Sequence, residues 1–202
     1  MDTASTEIVE FWNLFRRRAA DLVASRSTDS PAYIALLDHL HRIDPGLYLE
    51  FCANPGACEL IVTADGDRSL FSLARAVVAD APVIEGWTIR ALKPQIGCPV
   101  ITQCEGLTLR LADITFDPLE LEGPDELGLR IFVPGIEEKD IDDAHNALLR
   151  ALDHILGEEK FAESVQYTEV LPLPENAAKE QFISLSELDA FIRWRQGRRQ
   201  VG

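Results

Sequence analysis

Leu47-Tyr48-Leu49-Glu50-Phe51-Cys52 and Glu59-Leu60-Ile61-Val62-Thr63-Ala64, on either side of Asn54-Pro55-Gly56-Ala57, decide the fold class. Both runs are short, rich in β-branched and aromatic side chains, and bounded by Gly and Pro, which predicts a β-hairpin. Asp65-Gly66-Asp67 then ends the second strand. Leu70, Leu73, Ala74, Val77 and Val78 follow at helical spacing, Pro82 stops that helix, and Gly86 to Lys93 alternates as a strand closed by Pro94. The order is hairpin, helix, strand over residues 47–94.

The same order recurs downstream. Ile114 to Leu121, the turn Glu122-Gly123-Pro124-Asp125 and Leu127 to Val133 form a second hairpin that ends at Pro134-Gly135. A helix from about Asp140 to Leu156 presents Ile141, Leu148, Leu152 and Ile155 on one side and stops at Gly157. Ser164 to Leu171 reads as the next strand, closed by Pro172. Each copy enters its helix through a glycine and leaves its last strand at a proline, so residues 47–94 and 113–174 read as an internally duplicated ββαβ unit, with a short strand at Leu107 to Leu111 between them.

Two helices precede the first unit. Ile8, Phe11, Trp12, Phe15, Ala19 and Leu22 recur at three- and four-residue steps after Ser5 or Thr6. Ser30-Pro31 is an N-cap followed by proline at the first helical position, and Tyr33, Leu36, Leu37 and Leu40 turn inward until Pro45-Gly46. One helix over 184–198 follows the second unit, opened by the capping-box pattern Ser184-Leu185-Ser186-Glu187. The expectation is a single α+β domain over 1–202, built on antiparallel sheet with helices packed upon it.

Composition narrows the function classes. Apolar residues make up 47% and charged residues 26%, so disordered and fibrous readings do not fit. No apolar stretch approaches the roughly 20 residues needed to span a bilayer, and the first residues lack the basic start and apolar block of a secretory signal, so a cytoplasmic protein without membrane association is expected. The formal charge of −15 repels phosphate backbones, which argues against nucleic acid as a partner. Arg16-Arg17-Arg18 and Arg193, Arg195, Arg198 and Arg199 read as solvated helix faces and ends. Of the tryptophans, Trp12 lies on an apolar stripe and Trp194 among arginines; Trp194 is expected to be the most exposed and stacked by an arginine.

Several segments together resemble an uncharacterised family of small, acidic, cytosolic bacterial proteins: Phe11-Trp12-Asn13-Leu14-Phe15, Asp44-Pro45-Gly46-Leu47, Ile61-Val62-Thr63-Ala64-Asp65-Gly66, Ala81-Pro82 leading to Gly86-Trp87-Thr88-Ile89, and Phe132-Val133-Pro134-Gly135. The resemblance covers nearly the whole chain. It implies a fold and a cytosolic setting, and no catalytic residues.

Candidate chemistry is sparse. Cys52/Cys58 and Cys98/Cys104 match a structural zinc site in number, but their spacing is too wide for a zinc knuckle, and four reduced thiols are expected. His39 and His41 point to opposite sides of a helix, as do His145 and His154, so neither pair chelates one ion. His145 edges an apolar stripe and reads as a packing residue. No Gly-x-Ser-x-Gly, phosphate-binding glycine loop or His-Glu-x-x-His is present, and no cofactor is expected.

Carboxylates are the remaining signal. Asp113 to Asp143 holds eleven of them against Arg130 and Lys139, and Glu137, Glu138, Asp140, Asp142 and Asp143 crowd a helix start, where the macrodipole favours them. The two strand-to-helix turns would ordinarily suit an anion. Here Asp65 and Asp67, offset only by Arg68, and Glu137 and Asp140 argue for a cationic group or a basic protein partner instead. The expected function is a non-catalytic binding or interaction module, with a second copy in a homodimer (a homo-oligomer) or a basic protein as its partner and these four residues as its binding groups. The alternative is a carboxylate-based enzyme of unknown class, with or without a metal, working around Asp65 and Asp67.

Overall fold

The computed structural model describes residues 3–54, 57–104, 106–123, 126–174 and 182–199, without the side chains of Thr3, Ala4, Asn54 and Arg199. The expected turn residues Pro55-Gly56 and Pro124-Asp125 lie outside them. The fold is α+β, and the chain divides into two compact units, Met1–Lys93 and Pro94–Gly202.

In the first unit, α1 (Thr3–Ser25) and α2 (Pro31–Ile43) pack together. Ser30 caps α2, its side chain accepting from the Tyr33 N–H at 3.2 Å, as the Ser-Pro signal predicts. The hairpin β1 (Tyr48–Asn54) and β2 (Ala57–Thr63) runs antiparallel with Leu49 opposite Val62 and Phe51 opposite Leu60. After β2 the chain makes a 3₁₀ turn over Arg68–Leu70, forms α3 (Phe71–Ala79) and returns as β3 (Trp87–Ala91). The order in the sheet is β1-β2-β3.

β3 lies parallel to β2, with Leu60 opposite Ile89 and Val62 opposite Ala91. The sheet is therefore mixed, antiparallel within the expected hairpin and parallel where the helix intervenes. A helix laid back across a sheet returns the chain to the end where the previous strand began, so the strand after the helix must run parallel to the one before it. Leu60 and Val62 are buried on one face, with Phe71, Ala74 and Val77 of α3 and Phe11, Trp12, Phe15 and Leu22 of α1 also in the core. The α1 aromatics form an edge-to-face series, Phe11–Trp12–Phe15–Trp87, with centroids 4.7, 5.7 and 5.0 Å apart. The Trp12 indole N–H donates to the Val77 carbonyl at 2.8 Å and fixes α1 to α3.

The second unit repeats the scheme with additions. β6 (Thr115–Glu120) and β7 (Leu127–Val133) are antiparallel; a 3₁₀ turn over Glu138–Asp140 leads into α4 (Ile141–Leu156); and β8 (Tyr167–Pro172) returns parallel to β7. The ββαβ order is therefore present twice, and in both copies a four-residue connection, 64–67 or 134–137, joins the second strand to a 3₁₀ turn. Ala144, Ala147, Leu148, Ala151, Leu152 and Ile155 of α4 share a core with Phe116, Leu129, Ile131, Val133 and Val170 of the strands. On the opposite face an ion pair links the parallel strands in each unit: Glu59 with Arg90, and Arg130 with Glu169, both at 2.6 Å.

Three features of this unit differ from expectation. β4 (Ile101–Cys104) pairs with β5 (Leu107–Arg110) as an extra hairpin against α4, where the Thr102 hydroxyl donates to the Ala147 carbonyl at 2.9 Å. Ser164 belongs to a short helix, α5 (Glu158–Ser164), instead of opening β8, because Gly157 turns the chain only once before it coils again. The capping box does not form: Ser184 belongs to β9 (Ile183–Ser184), pairs with Thr115 of β6, and its side chain makes no cap bond to the 3₁₀ turn Leu185–Glu187 that precedes α6 (Leu188–Arg199). Its hydroxyl faces that of Ser186 at 2.8 Å instead. The sheet order is β8-β7-β6-β9. Among the described residues no helix is long and apolar enough to cross a membrane.

Candidate functional site

The two acidic turns occupy the same place in the topology of their own units, each handing the second strand of a hairpin to a 3₁₀ turn and then a helix. In the first, Asp65 has φ of 49° and Gly66 of 86°, and the Asp67 N–H closes the turn on the Ala64 carbonyl at 3.0 Å. Asp tolerates the left-handed region better than most residues, which is why this turn need not be all glycine. In the second, Gly135 alone is left-handed, with φ of 66°.

The four carboxylates differ in what they do. Asp67 caps the 3₁₀ turn, accepting from the Ser69 hydroxyl at 2.7 Å and the Ser69 N–H at 2.9 Å, and these bonds hold its carboxyl below the usual range. Asp65 accepts from the Lys93 ammonium at 3.0 Å, and Glu50 lies 3.5 Å from the same nitrogen. The offsetting cation in this turn is therefore Lys93, 28 positions away in sequence, and not only the adjacent Arg68. Lys93 follows β3 directly, so the parallel return of that strand places it there. Glu137 pairs with Lys139 at 2.9 Å, both side chains well exposed, and neither Glu137 nor Asp140 caps its helix with a side chain. Asp65 and Asp67 thus share one turn, and Glu137 and Asp140 the other.

The remaining candidates are dispersed. Cys52 and Cys98 are exposed, Cys104 half-buried and Cys58 buried, and partial burial raises the Cys98 thiol above its ordinary value. Among the described residues no three His, Cys, Asp or Glu side chains are placed to hold a metal ion together. His39 Nδ1 lies 3.0 Å from the Ala35 carbonyl, and His41 stands edge-on to Tyr48. His145 Nε2 meets the Thr168 hydroxyl at 2.7 Å, tying α4 to β8, a packing role.

Sequence reasoning missed one concave site. Where the β4–β5 hairpin lies on α4, a cavity of about 380 Å³ is lined by Gln103, Cys104, Gly106, Leu107, Thr108 and Arg150. Cys104 and Leu107 pack against the core of the unit, and the Gln103 amide donates to the Thr108 hydroxyl at 3.1 Å. The only signal in the sequence was the short strand at Leu107; β4 was not read, so the hairpin and its cavity were not either. Comparison of the chain with protein-family models, curated proteins and solved structures finds no match.

Proposed function

We propose that this protein is a non-catalytic binding module, of cytoplasmic setting, whose acidic strand-to-helix turns receive a cationic group or a basic segment of a protein partner, a second copy of the chain included. The observation that supports this reading is Lys93, whose ammonium sits between Asp65 and Glu50. The turn of the first unit already receives an ammonium from its own chain, and in the second Glu137 pairs with the exposed Lys139. Neither turn lies in the cavity, and the net charge of −15 would steer a basic ligand and repel nucleic acid.

A lysine-rich decapeptide labelled for fluorescence anisotropy tests the reading. The wild type should bind it, more weakly as salt rises, and E137Q/D140N should lose most of that affinity, with D65N/D67N losing less because Lys93 already occupies Asp65. Equal binding by all three, or tighter binding of a phosphate-bearing peptide, would contradict it. Stoichiometric zinc, manganese or magnesium in the purified protein would favour a carboxylate-based enzyme instead.

A further inference from the structure

We infer that the open edge of β4, with the exposed apolar loop that leads into it, is a self-association surface on which a second copy of this chain pairs antiparallel, strand to strand. From Pro94 to Cys104 the chain carries no charged residue, the longest such run in it, although 26% of its residues are charged; Lys93 and Glu105 bound the run. Within it Ile96, Val100 and Ile101 are 67%, 80% and 47% exposed. The backbone that carries them is anchored. The Ile96 and Gly97 N–H groups both donate to the His154 carbonyl at 2.9 Å, and the Gln95 amide donates to the Ile155 carbonyl at 2.8 Å, so the loop satisfies carbonyls at the C-terminal end of α4. The Thr102 hydroxyl, on Ala147, fixes β4 to the same helix. The apolar side chains are thus held outward by a segment tied down on its inner side.

β4 also has an unpaired side: among the described residues its sheet contains only β4 and β5. The Leu111 N–H donates to the Val100 carbonyl, and bonded pairs alternate along an antiparallel ladder. Thr102 and Cys104 therefore turn their main-chain groups to β5, and those of Ile101 and Gln103 point to the open side. Such edges are ordinarily blunted by charge, proline or a bulge. Ile101-Thr102-Gln103-Cys104 has neither charge nor proline and pairs with β5 in unbroken register. Pro99, just before it, has no N–H and confines added pairing to Ile101 and Gln103. A second copy is the occupant that fits. With a two-fold axis opposite Thr102, Ile101 of each copy lies against Gln103 of the other, and each pair exchanges both main-chain bonds. Two chains of charge −15 repel, and this run is where neither presents a carboxylate to the other. Arg110, across from Ile101 on β5, is matched by Asp113 at 3.6 Å. A basic or acidic partner segment would find no opposite charge in the run. The surface uses none of the four acidic-turn residues, so the inference stands or falls separately from the proposed function.

Sedimentation velocity on the full chain between about 5 and 500 μM tests this, because so short a strand pair makes a small interface that dissociates on dilution. The expected result is a monomer at the low end and a dimer at the high end. The dimer should tighten as salt rises, since repulsion between the acidic chains is screened beyond roughly 8 Å at about 0.15 M, whereas a cationic ligand on the acidic turns weakens with salt. I101K supplies the charge that open edges ordinarily carry and should keep the protein monomeric throughout. V83K, at a fully exposed apolar position of the first unit, and E137Q/D140N should not weaken the dimer. Hydrogen exchange gives a second readout: protection of the Ile101 and Gln103 amides should rise with protein concentration, while that of Thr102, which faces β5, should not. A monomer at every concentration, a dimer as tight in I101K as in the wild type, or Ile101 and Gln103 amides equally protected in dilute and concentrated protein would overturn the inference.

Discussion

At the scale of single residues, Asp189 is a carboxylate with several partners that the sequence did not single out. Asp189 of α6 accepts from Lys160 of α5 and pairs with Arg193 at 2.9 Å. Bonding from Lys160 lowers its carboxyl below the usual range, partial burial opposes this, and Gln95 and Arg193 add to the lowering. A carboxyl lowered in the folded state contributes stability that is fully present above its unfolded value of about 4 and is lost as the pH falls through the folded value. D189N should therefore cost about 1–3 kcal/mol at pH 7 by chemical denaturation, and its deficit should shrink as the pH drops below about 4. A constant deficit down to pH 2.5 would show that charge is not the cause. The tryptophans offer a second check. Trp194 is 54% exposed with the Arg198 guanidinium 4.8 Å from its ring centre, while Trp12 is 4% exposed, as the arginine-rich and apolar contexts of the two predicted. In single-tryptophan variants acrylamide should quench Trp194 most and Trp12 least; the reverse order would contradict the placement of α1 or α6.

At the scale of elements, Gly157 has a role no other residue type can fill cheaply. It ends α4 and starts α5 at φ 78° and ψ 151°, a region open essentially to glycine, with its N–H bonded to the Asp153 carbonyl at 2.7 Å. G157A should destabilise the protein by about 1–3 kcal/mol in equilibrium unfolding, and a loss under 0.5 kcal/mol would mean that the α4–α5 junction differs. The helix stop at Gly157 was legible because α4 has strong helical periodicity before it; α5 was not, because seven residues offer barely two turns of pattern. Both main hairpins could be read from their runs of β-branched residues and their Gly and Pro boundaries. β4 could not: Ile101 is exposed, and the lone Gly106 after Cys104 is a weaker turn mark than the paired Pro and Gly of the other two hairpins. The capping-box pattern at Ser184 misled for a different reason, since pairing with Thr115 recruits that residue into the sheet, and tertiary pairing overrides a local signal. Of the candidate site, the acidic turns were legible as turns, whereas the Lys93 contact depends on where β3 returns and the Arg150 cavity on a hairpin meeting a helix 45 positions away.

At the scale of the whole molecule, the chain is two copies of one topological idea, and the Lys93 contact at the first acidic turn and the Arg130–Glu169 pair depend on the direction of two strands. If β3 ran antiparallel to β2, Lys93 would lie at the far end of the strand from Asp65. If β8 ran antiparallel to β7, Glu169 would not be registered with Arg130. Sequence periodicity cannot reveal this direction, because a strand buried on one face alternates in the same way whichever way it points. Interstrand proton contacts measured by nuclear magnetic resonance can. Antiparallel neighbours bring opposing Hα atoms together at alternate pairs, and parallel neighbours do not. The account predicts Hα–Hα contacts within the hairpins β1–β2 and β6–β7, and none between β2 and β3 or between β7 and β8, where amide-to-Hα contacts should instead follow the registers Leu60 to Ile89 and Ile131 to Val170. Strong Hα–Hα contacts across either of the latter two pairs would contradict the duplicated ββαβ architecture and, for β2 and β3, the Lys93 contact at the first acidic turn.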